Sequence, residues 1–280
     1  MIQEIHLESS TACDARCVFC PHDSLRRSGR MPWGVFKKIV DEAVGMGVVR
    51  FTPFRVGEPL IFPDLIPWIE YIGSKGAQVT IFTNANNLTD SIGNQLIANS
   101  NAISSLHISF HGGTKEVYEK FMGLNFEKTL VNVEAFVDKT PEFPVNIFST
   151  IHPDTASTLD DFKGLWDASK FEDIGTRDSM AWAGERPNEM SLIIFLKTRD
   201  DVKKVPCERV LYQLDVMYDG LVCLCCVDAH GKVIFGNLME HSLKDVLGSP
   251  ERQRYIEAHL AGAWDELPLC SECGINVRGI

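Results

Sequence analysis

Up to about residue 185, short runs rich in β-branched residues alternate with longer segments whose apolar positions recur every three or four residues. The first kind reads as strand and the second as amphipathic helix. Strands are predicted at 3–9 (QEIHLES), 48–54 (VVRFTPF), 77–83 (AQVTIFT), 104–110 (SSLHISF), 144–150 (PVNIFST) and roughly 174–182 (IGTRDSMAW). Helices are predicted between them at 32–47, 64–76, 88–100, 126–139 and 158–170. This alternation predicts parallel strands joined by crossover helices, in six β/α units. The apolar run SLIIFLK at 191–197 is either a further strand or part of a connector spanning 184–206. Beyond a boundary near residue 200, YQLDVMYDGLVCLCC (212–226) reads as a hairpin hinged on Asp219-Gly220, with Cys223, Cys225 and Cys226 on its return strand. Helical stretches are expected at about 241–248 and 250–262.

Composition narrows the functional classes. With 27 basic and 38 acidic residues among 280, the net charge of −11 argues against a protein that tracks a nucleic-acid backbone. No run of eighteen apolar residues occurs, and the first thirty residues carry cysteines and charges where a signal peptide needs an apolar stretch. A cytoplasmic protein with no membrane partner is expected. Its nine cysteines fall in two groups, three by position 20 and six from 207 onward, which suits metal ligation or thiol chemistry better than a disulfide framework.

Cys13, Cys17 and Cys20 follow the first predicted strand, so their loop belongs at the carboxyl end of the sheet, the catalytic face of β/α barrels. Their C-x3-C-x2-C spacing lets a short loop wrap three corners of an iron-sulfur cubane, and three thiolates leave one iron open to substrate or cofactor. With Phe19 just before the last cysteine, the motif resembles that of the radical S-adenosylmethionine (radical SAM) superfamily. Val56-Gly57-Glu58-Pro59 resembles the family's GGEP motif with valine for the first glycine. Thr83-Asn84-Ala85 resembles its TNG segment, and Ser109-Phe110-His111-Gly112 its S-x-D-G. The resemblance implies a partial (β/α)6 barrel that cleaves S-adenosylmethionine to a 5′-deoxyadenosyl radical, with Phe19, Gly57, Glu58, Pro59, Thr83, Asn84, Ser109 and His111 contacting the cofactor. Read without the resemblance, Glu58 is a solvated loop acid, Ser109 a strand cap and Asn84 to Asn87 a turn.

The later cysteines, with DGLVCLCCVD and GNLMEHSLKDV, resemble the family's SPASM/twitch extensions. That resemblance assigns residues 1–199 to the barrel and 200–280 to a twitch domain, an α+β unit whose Cys207, Cys225, Cys270 and Cys273 hold an auxiliary [4Fe-4S] cluster. Cys223 or Cys226 stands as an alternative to Cys225, and a zinc site as an alternative to the cluster. A small polar substrate is expected in the barrel, with His6, Glu8, Arg55, His107, His111, Asn146, Phe148, Trp182, Glu185 and Arg186 as candidate lining. Arg26, Arg27 and Arg30 read as a solvated lid. The leading expectation is oxidation of a sugar- or aminocyclitol-type alcohol, with His111, Glu185 or Arg186 as base and a flavodoxin or ferredoxin as reductant. Epimerisation with Cys226 or Cys223 as hydrogen donor, peptide maturation, and a non-catalytic cluster scaffold are the alternatives.

Overall fold

A computed structural model describes residues 2–140, 142–179, 182, 185, 202–273 and 277–279. Six parallel strands stand side by side in chain order: β1 (Glu4–Leu7), β2 (Arg50–Thr52), β3 (Gln78–Thr83), β4 (Ile103–Ser109), β5 (Val145–Ile151) and β6 (Asp173–Asp178). Alternation along each strand sorts its side chains between two faces. On β1, Ile5 and Leu7 are fully buried in the apolar core, while Glu4 and His6 turn to the other face, the lumen of the open barrel.

Helices α1 (Trp33–Gly45), α2 (Leu65–Ser74), α3 (Asp90–Ala98), α5 (Phe126–Lys139) and α6 (Leu159–Gly164) form where the apolar period places them. They cover the outer face, with Phe36 of α1 stacked 4.0 Å from Trp68 of α2. Burying each such ring contributes about 1.5–3 kcal/mol. Helix α4 (Lys115–Met122) was not predicted. It buries Tyr118, Phe121 and Met122 on one face, and its ends are set locally: the Thr114 hydroxyl accepts the Val117 N–H, and Gly123 closes it at φ 67°.

The hairpin is part of the same sheet. Strand β8 (Gln213–Val216) pairs in parallel with β1, setting Asp215 opposite His6, and β9 (Leu221–Cys223) and β10 (Ile234–Asn237) add antiparallel strands. The result is a nine-stranded sheet ordered β10-β9-β8-β1-β2-β3-β4-β5-β6, a partial barrel continued by a small antiparallel unit. Gly220 turns the hairpin at φ 83°. Strand β9 ends at Cys223, so Cys225 and Cys226 lie in the loop beyond it and not on the strand as expected. Helices α7 (Glu208–Tyr212), α8 (Leu243–Leu247) and α9 (Pro250–Ala261) complete this region. Strands β7 (Val202–Lys204) and β11 (Val277–Gly279) pair separately. Residues 191–197 and Arg186 lie outside the described residues.

Candidate active site and cysteine cavity

The first three cysteines sit on a loop held from two sides. The Arg16 and Val18 N–H groups donate to the Met122 and Phe121 carbonyls at the end of α4, and Glu58 N–H donates to Ala12 O. Phe19 stacks on Phe121 at 5.5 Å and meets the edge of His111 at 5.5 Å. Burial pushes the Cys13 thiol up to about 12, and Cys17 is raised well above its usual value, first by burial and then by Cys20 and Cys13. Such thiols are poor free nucleophiles, whereas a metal replaces their protons on binding. The donor set therefore fits a metal cluster better than a redox dithiol.

Gly57 and Glu58 join the neighbouring strand ends. A Cβ at Gly57 would stand 2.1 Å from Ser10 O and 2.8 Å from Ala12 O, so only glycine permits this approach of loop to loop. The buried Glu58 carboxylate accepts Thr83 Oγ1 at 2.5 Å, Asn84 N at 2.8 Å and Leu60 N at 3.0 Å. Burial outweighs these bonds and raises it to about 7. The predicted GEP and TNA motifs thus meet. Ala85, at the glycine position of TNG, is buried with φ 58°. Ser109 ends β4, half-buried, on the strand face of His107 and Ser105. Asp14 was missed by sequence reasoning. Its carboxylate accepts the side-chain amides of Asn84, Asn86 and Asn87 at 2.8, 2.6 and 2.7 Å. The available signal was an acid inside the cysteine motif opposite an asparagine-rich turn.

The base candidates divide. Thr150 N–H donates to His111 Nδ1 at 3.1 Å, which leaves the ring proton on Nε2, and burial lowers His111 to about 3. His111 is therefore a hydrogen-bond donor with no lone pair to spare, which corrects its expected role as base. The Glu185 oxygens pair with His230 Nε2 at 2.9 Å and Lys232 Nζ at 2.7 Å, so that acid is already balanced by two basic side chains. His107 stacks on Phe82 at 4.6 Å, and Asn146 donates to Glu172 at the rim. Arg177 covers Phe148 at 4.3 Å.

A polar network that no motif announced crosses the lumen. Arg55, fully buried, donates through Nη2 to Cys225 O and Asp228 O at 3.0 and 2.8 Å, and through Nε to Asp215 at 3.4 Å. Its Nη1 lies 3.8 Å from Glu8. Arg27 is no solvated lid: it makes a two-pronged contact with the buried Glu8 and donates to Ala229 O. Beneath Arg55, His6 Nδ1 lies 3.6 Å from Asp215 and Nε2 3.5 Å from Glu4. One ligand atom each of His6, Asp215 and Cys226 fall within 4.8 Å of one another. Cys226 thus turns to the lumen.

Cys207, Cys225, Cys270 and Cys273 line a single cavity of about 350 Å³, counted with its open mouth, together with Arg209 and Asp228. Cys223 and Cys226 are not among its walls. Arg209 lies beside these cysteines, and thiolate charge at Cys226, Cys225 and Cys207 favours its charged form. Four converging thiols with a cation beside them suit a cluster of net negative charge. Between the two cysteine sets lies an apolar group of Val56, Trp182, Val227 and Ala229, against which Phe19, Cys20, Cys225 and Cys226 pack. Val56, the departure from the family's glycine, belongs to this spacer.

The family model described as the radical SAM superfamily matches residues 7–164, and that of the SPASM iron-sulfur cluster-binding domain matches residues 207–274. Among solved structures, the chain resembles BtrN in complex with AdoMet and 2-DOIA, with TM-score 0.65 and 17% identity over 98% of this chain and 93% of that one. It resembles Streptococcus suis SuiB bound to precursor peptide SuiA, with TM-score 0.75 and 15% identity over 91% and 67%. It also resembles native anSMEcpe with bound AdoMet, with TM-score 0.68 and 17% identity over 92% and 84%. At these identities the likeness shows the fold. No curated protein matches by sequence.

Proposed function

Because the chain belongs to the radical SAM superfamily, an enzyme family that uses S-adenosylmethionine and here carries two iron-sulfur clusters, we propose that it oxidises an alcohol carbon of a small sugar- or aminocyclitol-like molecule. In this reading Cys13, Cys17 and Cys20 hold the cluster at which S-adenosylmethionine binds, and Cys207, Cys225, Cys270 and Cys273 hold the second. When bound, these groups supply a 5′-deoxyadenosyl radical that takes a hydrogen atom from substrate and a centre that takes up one electron.

The protein's own residues do the rest. Glu58, fixed by Thr83 and Asn84, and the Gly57 backbone receive the polar end of S-adenosylmethionine. Phe19 and His111 wall the same side. Oxidation also releases a proton, which needs an acceptor within the lumen. With His111 and Glu185 committed elsewhere, the acceptor in this reading belongs to the lumen network of His6, Glu4 and Asp215, in which the Gln213 side-chain amide also stands 3.1 Å from His6 Nδ1. A flavodoxin or ferredoxin is the reductant in this reading, and the cytoplasm its compartment. Among the described residues no helix is long and apolar enough to cross a membrane. Residues 1–199 serve as the barrel and 200–280 as the cluster-binding unit.

One observation carries the reading: four thiols line one cavity, and Arg55 ties its Cys225 loop directly to the strand end bearing Gly57 and Glu58. Four thiolates would close a cluster against substrate, which suits electron uptake. A second reading, epimerisation with a thiol hydrogen donor, is favoured by Cys226 facing His6 and Asp215.

The test uses anaerobically reconstituted protein, S-adenosylmethionine, dithionite and C-deuterated myo-inositol and glucosamine. Deuterium in 5′-deoxyadenosine together with a ketone supports oxidation. Deuterium transfer with solvent hydrogen returned to the inverted carbon establishes epimerisation instead. Transfer from a peptide and from neither polyol overturns the substrate class, and absence of 5′-deoxyadenosine with both clusters loaded sinks the enzyme reading.

A further inference from the structure

Helix α9 presents three buried polar side chains at helical spacing, Arg252, Tyr255 and His259, to the loops that carry the second cysteine set. Arg252 donates to Val210 O and Leu247 O, and Tyr255 OH donates to Pro268 O. The last of the three reaches the thiols themselves. His259 is completely buried and lies flat on Trp264, with ring centroids 5.3 Å apart. Cys207 N–H donates to its Nδ1 at 3.3 Å, and its Nε2 stands 3.5 Å from Cys270 Sγ.

These contacts determine the tautomer. An Nδ1 that accepts a backbone proton carries none, so a neutral imidazole bears its hydrogen on Nε2, pointed at the sulfur. We propose that His259 donates an N–H···S hydrogen bond to Cys270 as a cluster ligand and raises the reduction potential of the second cluster. The inference rests on the assignment of Cys270 as ligand made above. Hydrogen bonds to ligating sulfur are a main lever on cluster potential, because they withdraw charge from the sulfur and favour the more negative, reduced state. An electron acceptor gains from that direction of tuning. His259 is a positioning residue: it touches a ligand, not a substrate. Trp264 holds its ring plane, and the Cys207 backbone holds its tautomer, so the same ring joins two of the three thiol-bearing segments.

Potentiometric titration of the holoenzyme, followed by electron paramagnetic resonance, reads the potential of the cluster whose signal S-adenosylmethionine leaves unchanged. Cys270→Ser, which should drop that signal and about half the iron, tests the ligand assignment separately. His259→Phe keeps a ring against Trp264 but has no N–H. With iron at the wild-type level, its second cluster should titrate at lower potential, and His259→Gln, whose amide can donate, should recover part of the shift. An unchanged potential in a fully loaded His259→Phe enzyme overturns the inference, as does an equal shift in both variants. Should His259→Phe assemble no second cluster, the decision passes to wild-type holoenzyme grown with ¹⁵N-histidine. There, electron-nuclear double resonance of the reduced second cluster should show a weak coupling to one histidine nitrogen, and its absence overturns the proposal.

Discussion

The Asp14 carboxylate accepts the Asn84 side-chain amide at 2.8 Å, so the loop that carries the first three cysteines is bound directly to the loop after β3. Asn86 and Asn87 use the same carboxylate. Removing it strands three amide donors in a half-buried site. Asp14→Ala is expected to cost about 1–3 kcal/mol, read from urea unfolding of the apoprotein, and to lower iron retention at the first site in the reconstituted enzyme.

Gly57 and Gly45 make a controlled pair. A methyl group at Gly57 would strike the Ser10 and Ala12 carbonyls, whereas one at Gly45, at the end of α1, meets nothing within 4 Å. Gly57→Ala should weaken S-adenosylmethionine binding at least about tenfold, some 1.4 kcal/mol, because the cysteine loop must move. Gly45→Ala should leave binding unchanged and raise stability by about 0.5–1 kcal/mol. Equilibrium binding and thermal unfolding separate the two.

The cysteine assignment is read by counting iron. Wild-type protein with two cubanes should hold about eight irons per chain, and Cys225→Ser about four. Cys226→Ala and Cys223→Ala should keep both clusters, since neither residue lines the cavity. Loss of iron in Cys226→Ala with retention in Cys225→Ser would reverse the assignment.

His111 carries an acid-sensitive contribution to stability. Its folded value of about 3 lies below the unfolded value near 6.5 because burial disfavours the charged ring. Between those values the unfolded chain binds the extra proton, so the contribution is complete above pH 6.5 and is lost as pH falls toward 3. The slope from this one group approaches about 1.4 kcal/mol per pH unit. Urea midpoints measured from pH 7 to pH 4 should fall less steeply in His111→Phe than in wild type, by one proton's worth.

Arg55 holds two buried acids together. Arg55→Ala takes the guanidinium away from the buried Asp215, leaves Glu8 with Arg27 as its remaining cation, and frees the Cys225 and Asp228 carbonyls. A loss of about 3–5 kcal/mol is expected, measured by chemical unfolding.

Local pattern made much of this molecule legible. Strands β1 to β6 and most of their helices follow from period-two and period-3.6 apolar spacing, because each element must bury one face whatever its neighbours are. The first cysteine loop was readable because short-range spacing constrains ligand geometry, whereas Gly57 and Glu58 were legible only through the family resemblance, since local pattern alone makes Glu58 a solvated acid and the structure buries it. Helix α4 escaped although Tyr118, Phe121 and Met122 recur at helical spacing, because the run covers only about two turns. Asp14, Arg27 and His259 escaped because each matters through partners far away in the chain, such as Glu8 for Arg27.

What the sequence determined alone was therefore the set of elements, the order in which strands and helices alternate, and the two groups of thiols. Tertiary structure decided which thiols converge: a loop past β9, a helix cap and the C-terminal C-x-x-C close one cavity, while Cys226, adjacent to Cys225, turns into the lumen. It also decided that β8 joins β1, setting Asp215 beside His6. Strand pairing and thiol convergence depend on the path of the whole chain, and burial then converts those meetings into chemistry by making every unmatched charge and donor costly.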